Sequence, residues 1–259
     1  MGKIIAFANQ KGGVGKTTTC VNMAAYLAVM GKKVLLVDID PQGNSTTSFG
    51  IDKSTNNKTI YSAINGENTI EEVVRRTQIN GLDIVPSTVE LSGAEIELVQ
   101  MDSREKVLKN IMNGLRNTYD YILIDCPPSF GLLTVNALTS ANSVLIPMQC
   151  EFFPIEGLSQ LMNTIKLIKK HLNPNLEVEG VVLTMKDSRS NLVNQVSEQI
   201  HRYFGKKVFN TVIPRNIRLA EAPSHGLPIV LYDSKCTGAV AYRTLVEEFL
   251  ERQEINKNN

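Results

Sequence analysis

The residues with the densest potential for chemistry are Gln10-Lys11-Gly12-Gly13-Val14-Gly15-Lys16-Thr17-Thr18. Glycines at this spacing let backbone N–H groups turn inward around an anion, and a helix starting directly after them adds partial positive charge. Lys16 can then reach the outer phosphates of a nucleotide while the Thr17 hydroxyl ligates Mg²⁺. Three acids could complete the set: Asp38 and Asp40, which bracket Ile39, and Asp125. Phosphoryl transfer asks a protein for little covalent chemistry, so positioning and charge neutralisation carry the rate. Gly12, Gly13, Val14, Gly15, Lys16, Thr17 and Thr18 are expected to hold a triphosphate. Thr17 would bind Mg²⁺ directly and Asp125 through water, while Asp40 stands near the terminal phosphate and orients an attacking water. For Asp38 two roles stay open, steadying its own loop or touching the metal.

The elements that must position these groups read as an alternation. The apolar run Ile4-Ile5-Ala6-Phe7-Ala8 precedes the glycine loop, and a helix-like segment, Thr19 to Met30, follows it. Strand, glycine loop, helix is the setting in which Gly-Lys-Thr means phosphate binding. Gly31 stops that helix, and Lys33 to Asp38 reads as a strand ending in the polar run Asp38-Ile39-Asp40-Pro41-Gln42-Gly43-Asn44. Leu82 to Pro86 and Tyr121 to Asp125 are further strands, the second ending in Cys126-Pro127-Pro128-Ser129, a Walker B-like box. Ser143 to Met148, Val178 to Thr184, Val208 to Ile213 and Ile229 to Tyr232 are also expected as strands. Apolar residues at helical spacing mark Val89 to Gln100, Ser103 to Asn117, Pro154 to His171, Asn191 to Tyr203 and Gly238 to Arg252. Thr55 to Gln78 is more polar and reads as a loop with short helices.

Regular alternation predicts an α/β fold, a mainly parallel sheet flanked by helices on both faces. In such sheets ligands bind at the carboxyl ends of the strands, where the acids fall. One domain is expected over residues 1–252, with 253–259 a disordered tail.

Composition excludes several classes. A chain of 259 residues, 42% hydrophobic and 20% charged, can bury a full core. No apolar run approaches the roughly 18 residues of a membrane span, and the start lacks a signal-peptide pattern. Ala6 stands where N-myristoylation wants Ser or Thr, so a cytoplasmic protein without membrane attachment is expected. Cys20, Cys126, Cys150 and Cys236 form no C-x-x-C pair, and His171, His201 and His225 are scattered. Net charge is only +1, but bases gather between Lys166 and Arg218, which is how a nucleic-acid footprint looks. Within that region Lys169, Lys170 and Lys206 read as solvated helix faces. A guanine-reading chain would carry N-K-x-D or T-K-x-D after a late strand. Thr184-Met185-Lys186-Asp187 places the lysine one position late, which disfavours guanine.

The usual phosphate loop, G-x-x-x-x-G-K-[ST], needs glycine where this chain has Gln10, and a second lysine, Lys11, follows. The loop resembles the deviant Walker A form, K-G-G-x-G-K-[ST], of P-loop NTPases such as ParA/Soj partition ATPases, MinD, Mrp-type scaffolds and the nitrogenase iron protein. That resemblance implies that Lys11 reaches the phosphates of a partner subunit in an ATP-bound, face-to-face homodimer. The run from Asp38 to Asn44, the box from Asp125 to Ser129, Gln149-Cys150-Glu151 and the segment Ala220 to Gly226 together resemble chromosomal ParA/Soj proteins over essentially the whole chain. The likeness implies adenine contacts at Pro214 and Asn216 with Met185 opposite, and nonspecific DNA binding through Arg189 and Arg218. It further implies a slow Mg²⁺-dependent ATPase, nucleoid association and a ParB-like activator. Glu151 could face the dimer cleft or be a solvated loop acid. The alternative is a MinD-like positioning ATPase acting on another cargo, but the last helix lacks the basic amphipathic pattern of a membrane anchor. An iron–sulfur carrier or reductase would need a cysteine site near the dimer axis, for which the cysteine spacing gives no local motif, and the tyrosine-rich tail of a tyrosine kinase relative is absent.

Overall fold

The computed structural model describes residues 1–55, 58–149, 155–186 and 191–257. Its elements are, in order, β1 (Lys3–Phe7), α1 (Lys16–Val29), β2 (Val34–Asp38), α2 (Asn44–Thr47), α3 (Ile60–Ile64), α4 (Ile70–Val73), β3 (Arg75–Arg76), β4 (Leu82–Val85) and α5 (Leu91–Val99). There follow α6 (Val107–Ile111), β5 (Tyr121–Asp125), α7 (Leu132–Ser140), β6 (Ser143–Gln149), α8 (Ile155–His171), β7 (Glu177–Thr184), α9 (Asn191–Phe204), α10 (Ile217–Glu221), α11 (Ile229–Tyr232) and α12 (Thr237–Lys257). The sheet runs β3-β4-β2-β5-β1-β6-β7. Every pairing is parallel except that of β3 with β4. The chain leaves β1 toward β2 on one side and later reaches β6 on the other, so the glycine loop emerges at the topological switch point, where such sheets bind ligands.

Strands covered on both faces carry continuous apolar runs, because each face needs its own core. Every residue of β2, β5 and β6 is buried. Ile4, Ala6, Leu35, Val37, Ile122 and Ile124 face one core, shared with Ile60, Leu91, Leu133 and Leu161. Ile5, Phe7, Leu36, Leu123 and Leu145 face the other, shared with α1 and α12. Helix α1 is buried from Thr19 to Ala28, being enclosed between sheet and helices. In α12 the stripe Tyr242, Leu245, Val246 and Phe249 is at most 1% exposed, and Phe249 meets Tyr121 edge to face at 5.5 Å. That helix spends its apolar face on the core. No described helix is long and apolar enough to cross a membrane.

Four sequence expectations need correction. Ile229 to Tyr232 is helix α11, not a strand, for a four-residue apolar run fits either state and Pro228 at its N-cap favours a helix start. Val208 to Ile213 touches β7 through hydrogen bonds from Phe209 N and Ile213 N but is no regular strand. The reason lies in Glu248, whose carboxylate takes the intervening N–H groups of Asn210 and Thr211. The expected helix from Ser103 to Asn117 is broken into α6 and a 3₁₀ turn containing Gly114. Finally, residues 253–257 are no disordered tail. They finish α12, and buried Gln253 donates to Glu179 and accepts from Lys3.

Candidate nucleotide-binding site

Parallel register sets the acids. Asp125 pairs in register with Phe7 of β1 and with Asp38 of β2, so both carboxylates end their strands beside the root of the glycine loop. The loop is tied down on two sides. Asn9 donates to Pro147 O and accepts from Lys11 N, while the Thr184 hydroxyl donates to Val14 O. Gly13 and Gly15 have φ of 72° and 82°, the left-handed region that glycine occupies at no steric cost. Gly15 thereby ends the loop and starts α1, which puts Lys16, Thr17 and Thr18 on its first turn with their N–H groups unpaired within the helix.

Lys16 is 6% exposed, and its Nζ donates back to Lys11 O at 3.2 Å. Burial pulls its pKa down, opposed by Asp125, Cys126 and Asp40. Lys11, Gly12 and Gly13 lie exposed on the outer side of the loop.

The acids differ in how they are satisfied. Asp38, fully buried, accepts from Thr46 N and Thr46 Oγ1 at 2.8 Å each and from Asp40 N at 3.1 Å. Its oxygens thus fold the loop from Asp38 to Thr46 on itself. Asp40 is held from both directions, its Oδ1 accepting from Gln42 N and its carbonyl from Ser87 Oγ. Asp125 Oδ2 accepts from Ser45 Oγ at 2.8 Å, but Oδ1 is buried with no hydrogen-bond partner among the described residues. Burial, then the neighbouring Asp38, push its pKa up, while Ser45 and the nearby Thr17 hydroxyl favour the charged form. An orphaned buried oxygen costs about 1–3 kcal/mol. A carboxylate oxygen of this kind beside a threonine hydroxyl offers hard oxygens that fit Mg²⁺, and the buried lysine next to them fits the phosphates that would carry the metal.

Beside the loop a cavity of about 400 Å³ is lined by Gly15, Thr18, Met185, Pro214, Asn216 and Tyr242, among others. Its size is that of a small-molecule site. The structure therefore brings Met185, Pro214 and Asn216 together, next to the first turn of α1. Met185 has φ of 52°, a costly conformation for a side chain of its size, and lies against Gly15. Asn216 has both polar side-chain atoms engaged, Oδ1 capping α10 through Arg218 N and Nδ2 donating to Thr237 Oγ1.

Arg218 lies on α10, next to this cavity, and makes ion pairs with Glu221 and Asp233. Arg189 and Glu151 lie outside the described residues. The basic region divides in space, because a crossover helix runs antiparallel to the strands it joins. Lys169, Lys170, Arg202, Lys206 and Lys207 sit where α8 and α9 return to the amino-terminal edge, while Lys186, Arg215 and Arg218 belong to the nucleotide edge. Sequence reasoning missed Ser45, Ser87 and Tyr242. Ser87 is a hydroxyl two residues past the end of β4, a position the sequence marks, whereas Ser45 lies in α2 and reaches Asp125 only through the fold. Tyr242, whose hydroxyl meets Thr19 Oγ1 at 3.1 Å, reads only as a core residue of α12.

Residues 2–178 match a family model described as an AAA domain. The chain is 56% identical to the sporulation initiation inhibitor protein Soj of Bacillus subtilis, over 96% of its own length and 98% of that protein. It is 52% identical to the chromosome partitioning protein ParA of Myxococcus xanthus, covering 97% of this chain and 89% of the other. A crystal structure of cobyrinic acid a,c-diamide synthase from Mycobacterium smegmatis, with bound ATP analog and magnesium, superposes with a TM-score of 0.86 at 34% identity. That match covers 98% of this chain and 96% of the other. With its deviant phosphate loop, paired acids and adjoining cavity at one sheet edge, the chain belongs to the ParA/Soj family of chromosome-partitioning ATPases.

Proposed function

We propose that this ATPase works as an ATP-dependent homodimer that holds double-stranded DNA without regard to sequence and segregates a replicon with a ParB-like activator. The observation that carries the reading is the convergence of Lys16, Asp40, Asp125 and the Met185–Pro214–Asn216 cavity on one edge of one sheet. Adenine enters the cavity and the phosphates follow the glycine loop to the first turn of α1. Lys16 turns from Lys11 O to the phosphates, and Thr17 and Asp125, the latter through water, would hold Mg²⁺. Bound there, Mg²⁺ would supply charge neutralisation on the phosphate oxygens. Asp40, fixed by Gln42 N and Ser87 Oγ, orients the attacking water. Asp38 keeps the loop closed so that Asp40 is presented, which favours the steadying role over metal contact.

Lys11 and Gly12 are exposed, and among the described residues only Pro128 comes near the space a Gly12 side chain would take, which leaves room on this side of the loop for a second subunit. Dimerisation would join two DNA patches containing Arg189 and Arg218, making DNA affinity depend on ATP through avidity. Such a protein works in the cytoplasm on the nucleoid. The test is binding of random-sequence duplexes with and without ATP and Mg²⁺. Retention that requires ATP, ignores sequence, falls steeply with salt and disappears in Arg189→Ala/Arg218→Ala supports the reading. Equal retention without nucleotide would refute it.

A further inference from the structure

Arg218 is not presented as a bare cation. Its Nη1 meets Glu221 Oε2 at 2.9 Å and its Nε meets Asp233 Oδ2 at 3.7 Å. Glu221 is held in turn by the Tyr232 hydroxyl at 3.1 Å, and the Tyr232 ring stacks on His225 with centroids 4.9 Å apart. Asp233 is fixed as well, its Oδ1 taking Lys235 N and Cys236 N at the start of α12. The two acids thus belong to the framework, and around the guanidinium they outnumber it. That is the wrong balance for a simple phosphate footprint.

We infer that Glu221 and Asp233 restrain Arg218 and set the DNA affinity of this face low, so that only paired subunits hold DNA; the inference rests on reading Arg218 as a DNA contact. A phosphate oxygen reaching Arg218 must displace these carboxylates or sit beside them, and like charges at such distances repel. The penalty falls on each subunit separately. A monomer, with one weakened patch, stays off DNA, whereas a dimer joins two weak patches into useful retention. Three features serve this arrangement: the short Arg218–Glu221 pair within one helix turn, the second acid arriving from another segment, and the anchoring of both acids by other groups. The Arg218 guanidinium also has its pKa pushed up, first by Glu221 and then by Tyr232, as expected of a cation held by its neighbours.

Glu221→Gln/Asp233→Asn removes both charges and keeps the acceptors that Tyr232, Lys235 and Cys236 use. Binding to a labelled random-sequence duplex would be measured by anisotropy with ATP and Mg²⁺, alongside nucleotide affinity as a check on the fold. The double variant is expected to bind DNA about tenfold tighter as a dimer, and Glu221→Gln alone about threefold, with nucleotide affinity unchanged. Adding Arg218→Ala should erase the gain, leaving the triple variant no tighter than Arg218→Ala alone. Unchanged or weaker binding by the charge variants, with Arg218→Ala still weakening binding, would overturn the restraint and make the acids positioning residues. A gain that survives in the triple variant would equally overturn it, as a general charge effect. Wild-type affinity in Arg218→Ala would instead overturn the reading of Arg218 as a DNA contact.

Discussion

The two edges of the sheet treat buried charge in opposite ways. At the amino-terminal edge Glu179 lies 2.6 Å from Lys3, accepts from Gln253 at 2.7 Å and takes the Ser143 hydroxyl as well. Burial alone would raise its pKa, but these partners hold it below the ordinary value. At the carboxyl-terminal edge, among the described residues, one Asp125 oxygen has no hydrogen-bond partner and buried Lys16 donates to the Lys11 carbonyl alone. One edge is completed by folding. The other is left incomplete in a pattern that matches phosphate and Mg²⁺, at a cost in stability that ligand binding can return.

The largest break in this contrast should come from the two loop lysines. Lys16→Ala should weaken ATP binding at least about a hundredfold, since it removes a buried charge-assisted contact. Lys11→Ala should keep ATP affinity and lose ATP-driven dimerisation. Nucleotide titration with sedimentation separates the two, and a Lys11→Ala protein that dimerises normally would remove that lysine from the subunit interface. Next in size, Asp40→Ala should lower turnover about a hundredfold while ATP binding and dimerisation persist. Rapid-quench hydrolysis and crosslinking in ATP check this, and loss of ATP binding in step with turnover would assign Asp40 to the phosphate cradle.

The amino-terminal edge answers to stability alone. Glu179→Gln should cost about 1–3 kcal/mol by denaturant melts and leave ATP affinity untouched. Because the folded state depresses the Glu179 pKa below 4.5, its contribution is present above that pH and lost as pH falls through the folded value. The gap between wild type and Glu179→Gln should therefore narrow below about pH 4. A constant gap would mean that packing, not charge, is what Glu179 supplies.

Much of the nucleotide edge was legible because strand–loop–helix spacing, acids at strand ends and a lysine before threonine carry mechanism in short stretches. Met185, Pro214 and Asn216 were legible only through family resemblance, and they do line one cavity with Gly15 and Thr18. What stayed hidden depended on partners far along the chain. Glu248 taking the N–H groups of Asn210 and Thr211, Gln253 bridging Lys3 and Glu179, and Ser45 reaching Asp125 all join residues without local periodicity. The strand expectation for Ile229 to Tyr232 failed for a different reason, since a short apolar run holds no period by which to choose.

Thermal unfolding of wild type and Asp125→Asn, each with ATP and with or without Mg²⁺, tests the incomplete edge most directly. Without ligand, Asp125→Asn should be more stable by about 1 kcal/mol near neutral pH, because the substitution removes a carboxyl that ionises freely in the unfolded chain and that burial and Asp38 keep from ionising in the folded one. With ATP and Mg²⁺ at a hundred times its dissociation constant, the wild type should gain about 2.7 kcal/mol and overtake the variant. An Asp125→Asn protein that is less stable without ligand, or that gains as much from Mg²⁺ and ATP as the wild type, would contradict the claim that this edge is left open for them.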